Sequence, residues 1–315
     1  MNIDPQFAPF LEGAAQFPKA NSIPAPVFRD LVRQASTGFP KLEVPLGAIT
    51  DRTIPGPGGD LPVRIYTPVA SAAAPVIVYF HGGGYIAGDL DTQDMICRGL
   101  CNGARSVVVS VAYRLAPENP FPAAHEDCWA ATLWAAENAR EIGGTPGQLA
   151  VAGDSAGADL AAGVALRARD AEGPALCGQV LIYGAGGYPS GEPESMRENR
   201  NAPFLHADDV LYFWHQYLSN PGVDQHDLRA SPGRASSLRD VAPALIVTAE
   251  ADPLRDFGEG YGRKLVVAGV PVQMRRYPGM VHGFLSWLGV IDTAHTAMND
   301  ASAWLRTQFA RAGGG

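Results

Sequence analysis

Short runs of β-branched and other apolar residues alternate along most of the chain with longer stretches whose apolar positions recur every three or four residues. Residues 75–80, 106–113, 148–152, 179–183 and 243–249 are of the first kind and predict strands buried on both faces. Residues 61–66 alternate apolar and polar side chains and predict an early antiparallel strand, while 272–277 predict one further strand. Helical spacing predicts helices near 92–105, 123–140, 155–169, 256–268 and 293–310. Strands alternating with helices argue for an α/β fold, with a mostly parallel central sheet covered by helices on both faces.

Two segments break this rhythm. Residues 1–40 are rich in Pro and Phe (Phe7, Phe10, Phe17, Phe28, Phe39). Residues 187–229 open on a Gly/Pro loop and then place Ala207, Val210, Leu211, Trp214, Tyr217 and Leu218 at helical spacing. The two together are expected to form a helical cap, or lid, over a core made of residues 41–186 and 230–311. An apolar stripe of this kind packs against a core as readily as it walls a substrate pocket. Phe213 and Trp214 are the candidates for a pocket wall. Residues 312–315, Ala-Gly-Gly-Gly, are expected to be irregular.

Composition narrows the class. A chain of 315 residues with 46% hydrophobic and 18% charged residues buries a substantial core and fits a soluble globular protein. The net charge of −8, with Lys and Arg scattered, disfavours nucleic acid as a partner. The N-terminus has no basic start and no long apolar stretch, so no signal peptide is expected, and no apolar run is long enough to span a membrane. Four cysteines are present, Cys97, Cys101, Cys128 and Cys177; Cys97 and Cys101 are four residues apart on one face of an expected helix and read as small buried hydrophobes. Without a Cys/His cluster no metal site is expected. A cytoplasmic location follows.

The candidate chemistry lies at the ends of two of the expected strands. His81-Gly82-Gly83-Gly84 follows the run at 75–80, and Gly153-Asp154-Ser155-Ala156-Gly157 follows the run at 148–152, about seventy residues later. In a chain with 36 glycines, Gly-x-Ser-x-Gly alone is a weak signal. Strand, Gly-Asp-Ser-Ala-Gly, then a stretch of helix formers is the context that gives it meaning: a sharp turn lifting the Ser155 hydroxyl above the sheet at a helix N-terminus. The glycine loop would aim backbone N–H groups at the oxygen of an attacked carbonyl, and Gly83, Gly84 and Ala156 are the candidate donors.

A serine hydroxyl needs a base. Of the seven histidines, His81 and His125 precede Ser155; in this class of motif the order is serine, acid, histidine, which leaves His206, His215, His226, His282 and His295. Only His282 follows a strand-like run through a short turn. His206 and His215 flank an amphipathic helix, His226 sits among Asp224, Gln225 and Asp227, and His295 falls in the last helix. The acid is expected at the end of the strand at 243–249. Asp252 is the best placed, Glu250 is the alternative, and Asp256 falls in the first turn of the next helix.

Five stretches together resemble the hormone-sensitive-lipase-like branch of the α/β-hydrolases, the family IV bacterial esterases with an HGGG loop. They are Tyr79-Phe-His-Gly-Gly-Gly-Tyr85, Val111-Ala-Tyr-Arg-Leu-Ala-Pro-Glu-Asn-Pro-Phe-Pro-Ala123, Gly153-Asp-Ser-Ala-Gly157, Glu250-Ala-Asp-Pro-Leu-Arg-Asp256 and Tyr277-Pro-Gly-Met-Val-His-Gly-Phe284. The resemblance implies an α/β-hydrolase fold with a helical cap. It implies a cofactor-free carboxylesterase acting on short or medium acyl chains, with Ser155, Asp252 and His282 as the triad and Gly83, Gly84 and Ala156 as oxyanion donors. It makes His81 a brace for the loop. The chain departs from the family at Ala158-Asp159, where relatives commonly carry Gly-Asn.

The expected partner is a small-molecule ester. An amidase or lactonase using the same triad, and a non-catalytic small-ligand receptor, are the alternatives; a lipase acting at an oil interface is disfavoured by the absence of a large apolar segment. Residues 272–277 would leave an edge strand open to pairing, which would allow a homodimer, although the arginines there also protect such an edge.

Overall fold

The computed structural model describes residues 2–38, 42–69, 73–189 and 191–314. Phe39 and the boundary expected near residue 41 lie outside the described residues. The described residues build one sheet from eight strands: β1 (Ala48–Gly56), β2 (Gly59–Thr67), β3 (Ala74–Phe80), β4 (Val107–Val111), β5 (Gly144–Asp154), β6 (Gly178–Ile182), β7 (Ala244–Ala251) and β8 (Val272–Val281). Their order across the sheet is β1-β2-β4-β3-β5-β6-β7-β8. β2 runs antiparallel to β1 and β4, and every pair from β4 onward is parallel.

The long helices are α1 (Ala8–Gln16), α2 (Ala25–Thr37), α3 (Asp94–Ala104), α4 (Ala123–Glu137) and α5 (Ala156–Asp170). They are followed by α6 (Glu194–Glu198), α7 (Ala207–Tyr217), α8 (Pro221–Asp224), α9 (Arg255–Val267) and α10 (Asp292–Gly313). Period-two alternation along the strands divides the core. Val76, Val78 and Phe80 of β3 face one side, with Cys128 and Ala131 of α4, Leu160 and Val164 of α5 and Leu265 of α9. Ile77 and Tyr79 face the other, with Ile96, Cys97 and Leu100 of α3 and Leu305 and Phe309 of α10. The expected sheet and its two helical layers are therefore present.

Three local expectations change. β1 was not legible because eight of its nine positions are not buried and only Ile54 is; an edge strand wet on both faces carries no alternation. It joins β2 through the two-residue turn Pro57-Gly58, with Gly56 paired to Gly59. α10 continues to Gly313, so the terminal glycines do not end the helix where their propensity alone would. In α7 the buried stripe is Ala207, Val210, Trp214 and Tyr217, whereas Leu211 faces solvent.

The two segments that broke the rhythm meet each other. The Ala20 N–H donates to Asp209 Oδ1 at 3.0 Å, and the rings of Phe28 and Phe213 lie 5.8 Å apart. The N-terminal arm also reaches further. Phe7 is fully buried against Trp287, with ring centroids 5.8 Å apart, and the Asp4 N–H donates to the Gly279 carbonyl at 2.9 Å.

Candidate active site

Ser155, Asp252 and His282 each follow directly on the last residue of a strand: β5, β7 and β8. Since these strands are parallel and near neighbours in the sheet, their C-terminal ends open on one side of it, where ligands of such sheets bind. His282 Nε2 lies 2.9 Å from Ser155 Oγ, and His282 Nδ1 lies 2.8 Å from Asp252 Oδ2. An ionised carboxylate only accepts, so the proton sits on Nδ1 and the Nε2 lone pair faces the serine hydroxyl.

The backbone pays conformational strain to present that hydroxyl. Ser155 sits at φ 52° and ψ −122°, a region that L-residues avoid, and its N–H donates to the Ile182 carbonyl at 2.8 Å. α5 then turns back so closely on β3 that a Cβ at Gly157 would lie 2.0 Å from the Phe80 carbonyl oxygen. Only glycine fits there.

The glycine loop is tied to this turn. Gly83 has φ 125°, and a Cβ on it would lie 2.1 Å from the Ala87 carbonyl oxygen; that tight fold lets the Ile86 and Ala87 N–H groups both donate to the Gly83 carbonyl. The N–H groups of Gly83, Gly84 and Ala156 have no acceptor among the described residues. They are donors left unused by the fold.

Asp154, not singled out by the sequence, braces the loop. Its Oδ1 accepts from the Gly82 N–H at 2.8 Å and from the Tyr79 hydroxyl at 2.6 Å. Burial pushes its carboxyl up to about 6, against the lowering effect of the Tyr79 and Gly82 donors. His81 is buried and stacked on Tyr113 at 4.1 Å; its Nδ1–H donates to the Gly82 carbonyl at 2.8 Å, and burial takes its pKa down to about 4. It is a neutral brace.

The acid loop is held just as firmly. Asp252 Oδ1 accepts from the Leu254 N–H at 2.7 Å. Asn199 Nδ2, buried beyond the end of α6, donates to the Asp252 carbonyl at 3.2 Å, and Ser195 Oγ donates to the Pro253 carbonyl at 2.9 Å. No motif marks Asn199 or Ser195, since their role depends on α6 folding back over a loop more than fifty residues away. Glu250 accepts from the Gly279 N–H at 2.8 Å, at the point where β8 bulges against β7 before His282. Asp256 falls in the first turn of α9 and pairs with Arg255.

The other histidines stay apart from Ser155 or carry other contacts. His125 is buried beside Arg167, His215 and His226 are exposed, and His295 Nε2 accepts from the Gly289 N–H. His206 lines the cavity described next.

Two cavities meet at Ser155. The larger, of about 550 Å³, is lined by Gly83, Ser155, His282, Phe10, Phe28 and Trp287, among others. The smaller, of about 30 Å³, is lined by Gly84, Ser155, Ala156, Asp159, Val210 and Trp214, among others, and is not reached by His282. Phe213 lies against Gly84 and forms part of both walls; Trp214 belongs to the smaller alone. Among the described residues, no group of His, Cys, Asp and Glu is arranged to hold a metal ion, and no helix is long and apolar enough to cross a membrane.

Comparison with known proteins agrees with this architecture. The family model for the α/β-hydrolase fold matches residues 77–286. The esterase LipI of Mycobacterium tuberculosis is 45% identical over 283 residues, covering 88% of each chain. The carboxylesterase NlhH of the same organism is 42% identical over 285 residues, covering 89% of this chain and 88% of its own. The structure of the hyperthermophilic esterase from Pyrobaculum calidifontis superposes with a TM-score of 0.93 at 38% identity, over 98% of this chain and 99% of that one. By its sheet topology, its motifs and these likenesses, the chain belongs to the hormone-sensitive-lipase-like esterase branch of the α/β-hydrolases.

Proposed function

We propose that this carboxylesterase hydrolyses short- to medium-chain carboxylic esters through an acyl-enzyme formed on Ser155, with His282 as base and Asp252 as its orienting acid. The observation that carries the reading is the unbroken hydrogen-bonded chain from Ser155 Oγ through the His282 ring to Asp252, 2.9 and 2.8 Å per link. Ser155 attacks the carbonyl carbon while His282 Nε2 takes its proton. Asp252 holds the Nδ1 tautomer and stabilises the imidazolium. The N–H groups of Gly83, Gly84 and Ala156 receive the oxyanion; removing one such donor typically costs ~3 kcal/mol of transition-state stabilisation. His282 then protonates the leaving alcohol, and water repeats the sequence to release the acid.

The same relay orients the substrate. The leaving oxygen must lie beside His282, so the alcohol occupies the larger, largely apolar cavity that His282 lines. The acyl chain is left with the smaller one between Gly84, Ala156 and Trp214, which favours short chains. Residues 1–40 and 187–229 act as the cap that closes both. A homodimer paired along β8 fits the position of that strand at the sheet edge with Met274 exposed. The four cysteines are free, which fits a cytoplasmic enzyme.

The test is hydrolysis of p-nitrophenyl butyrate. Ser155→Ala is expected to lower kcat by a factor of 10³ or more, and a fluorophosphonate should label the wild type and not the variant. Equal rates would remove the reading, and absence of labelling would favour a non-catalytic binder.

A further inference from the structure

The smaller cavity has one charged side chain in its wall. Asp159 lies in the first turn of α5, four residues after Ser155, and both line this cavity. Its neighbours around the cavity are otherwise largely apolar: Ala156, Ala185, Val210, Phe213, Trp214 and Leu254. Two of its acceptor sites are occupied. Oδ1 accepts from the Gly187 N–H at 2.8 Å, and Oδ2 accepts from the Tyr85 hydroxyl at 3.2 Å. A carboxylate offers about four acceptor sites, so two remain. Those two bonds fix the carboxylate in place, and its remaining open surface faces the cavity. Burial pushes the Asp159 carboxyl up to about 7, against the lowering effect of Gly187 and Tyr85, so at pH 8 the ionised, acceptor-only form predominates.

Resting on the acyl placement given above, we propose that Asp159 makes this enzyme selective for short acyl groups that carry a hydroxyl, with the carboxylate accepting the hydroxyl hydrogen at the wall of the acyl cavity. An unsubstituted acyl chain strips water from the carboxylate without replacing its hydrogen bonds, which is the costly case for a buried polar group. A hydroxyl three carbons along the chain restores a charge-assisted bond. An ammonium would add the desolvation of a second ion in a narrow site, so the uncharged donor is the better match. The spacing of four residues between Ser155 and Asp159 points to the 3-hydroxyacyl series.

The experiment compares kcat/KM at pH 8 for p-nitrophenyl 3-hydroxybutyrate and p-nitrophenyl butyrate, each divided by its alkaline hydrolysis rate to cancel intrinsic reactivity. The wild type is expected to favour the hydroxy ester by tenfold or more. Asp159→Val should abolish that preference. Asp159→Asn, which keeps the shape and one acceptor but loses the charge, should reduce it severalfold. A wild type with no preference overturns the proposal without recourse to any variant, and so does a preference unchanged in Asp159→Asn. Hydrolysis of neither ester by the wild type instead defeats the esterase reading itself, and the selectivity proposal with it.

Discussion

Asp154 shows how a single side chain beside Ser155 ties the glycine loop to the sheet. It holds the glycine loop through Gly82 and the sheet through Tyr79, and its burial keeps its carboxyl near 6 where the ordinary value is 3.8. That difference corresponds to on the order of 3 kcal/mol against the ionised form in the folded state. The folded pKa is raised, so the associated stability is fully present below about 3.8 and is lost as pH rises through about 6. Asp154→Asn keeps both partners within reach. The melting temperature of that variant minus that of the wild type should therefore grow by roughly 5 °C between pH 4 and pH 7 and level off above. A flat difference in a melting series across that range would exclude this account. At the relay itself, Asp252→Asn should lower kcat by about 10⁴ with little change in KM, because an amide favours the wrong imidazole tautomer. Ser155, Asp252 and His282, the residues proposed as the triad, were legible because each lies a few residues beyond a run of strand formers. Asp154 was overlooked because, in the sequence, it is merely the variable position of its motif.

At the scale of elements, chemistry depends on where segments come closest. The loop from His81 to Ala87 folds so tightly that Gly83→Ala would drive a methyl into the Ala87 carbonyl. The expected outcome is a fall in kcat for p-nitrophenyl butyrate of 10² or more, since the loop must reopen and carries its N–H groups away. The acid loop depends on a less visible support. Asn199→Ala removes one donor from the Asp252 and Glu250 carbonyls, each of which keeps another from Arg255, at a cost of about 1 kcal/mol. If Asn199 positions Asp252, kcat should fall severalfold while KM holds; if it only stabilises, the melting temperature alone should move. The buried strands were legible from their continuous apolar runs, which no other element of that length produces. β1 was not, because an edge strand exposed on both faces leaves no pattern to read. α7 was legible in position, yet one member of its expected stripe, Leu211, lies on the wet face, since helical spacing alone admits residues at the margin of the buried arc.

For the whole molecule, two segments nearly two hundred residues apart in sequence meet and line one cavity with Ser155. The buried Asp209 carboxylate helps join them by accepting the Ala20 N–H. Asp209→Ala should loosen the N-terminal segment, so that limited proteolysis near Lys19 quickens and kcat/KM for esters of bulky alcohols falls more than for methyl esters. Phe213→Ala acts where the two cavities share a wall and should broaden acyl-length tolerance toward longer chains; an unchanged chain-length profile would count against that partition. That the segments would meet was readable from their shared break in rhythm. Which residues join them was not, because a backbone N–H leaves no trace in a sequence.

The contact of Asp4 with Gly279 places the arm that leads into α1 three residues from His282, along the strand that precedes it. Changes at Asp4 therefore reach the strand that leads into His282, whereas changes at the exposed tip of α10 near Gly313 do not touch it. Asp4→Pro, which removes that N–H, should lower turnover, whereas a substitution at Gly313 should leave it unchanged.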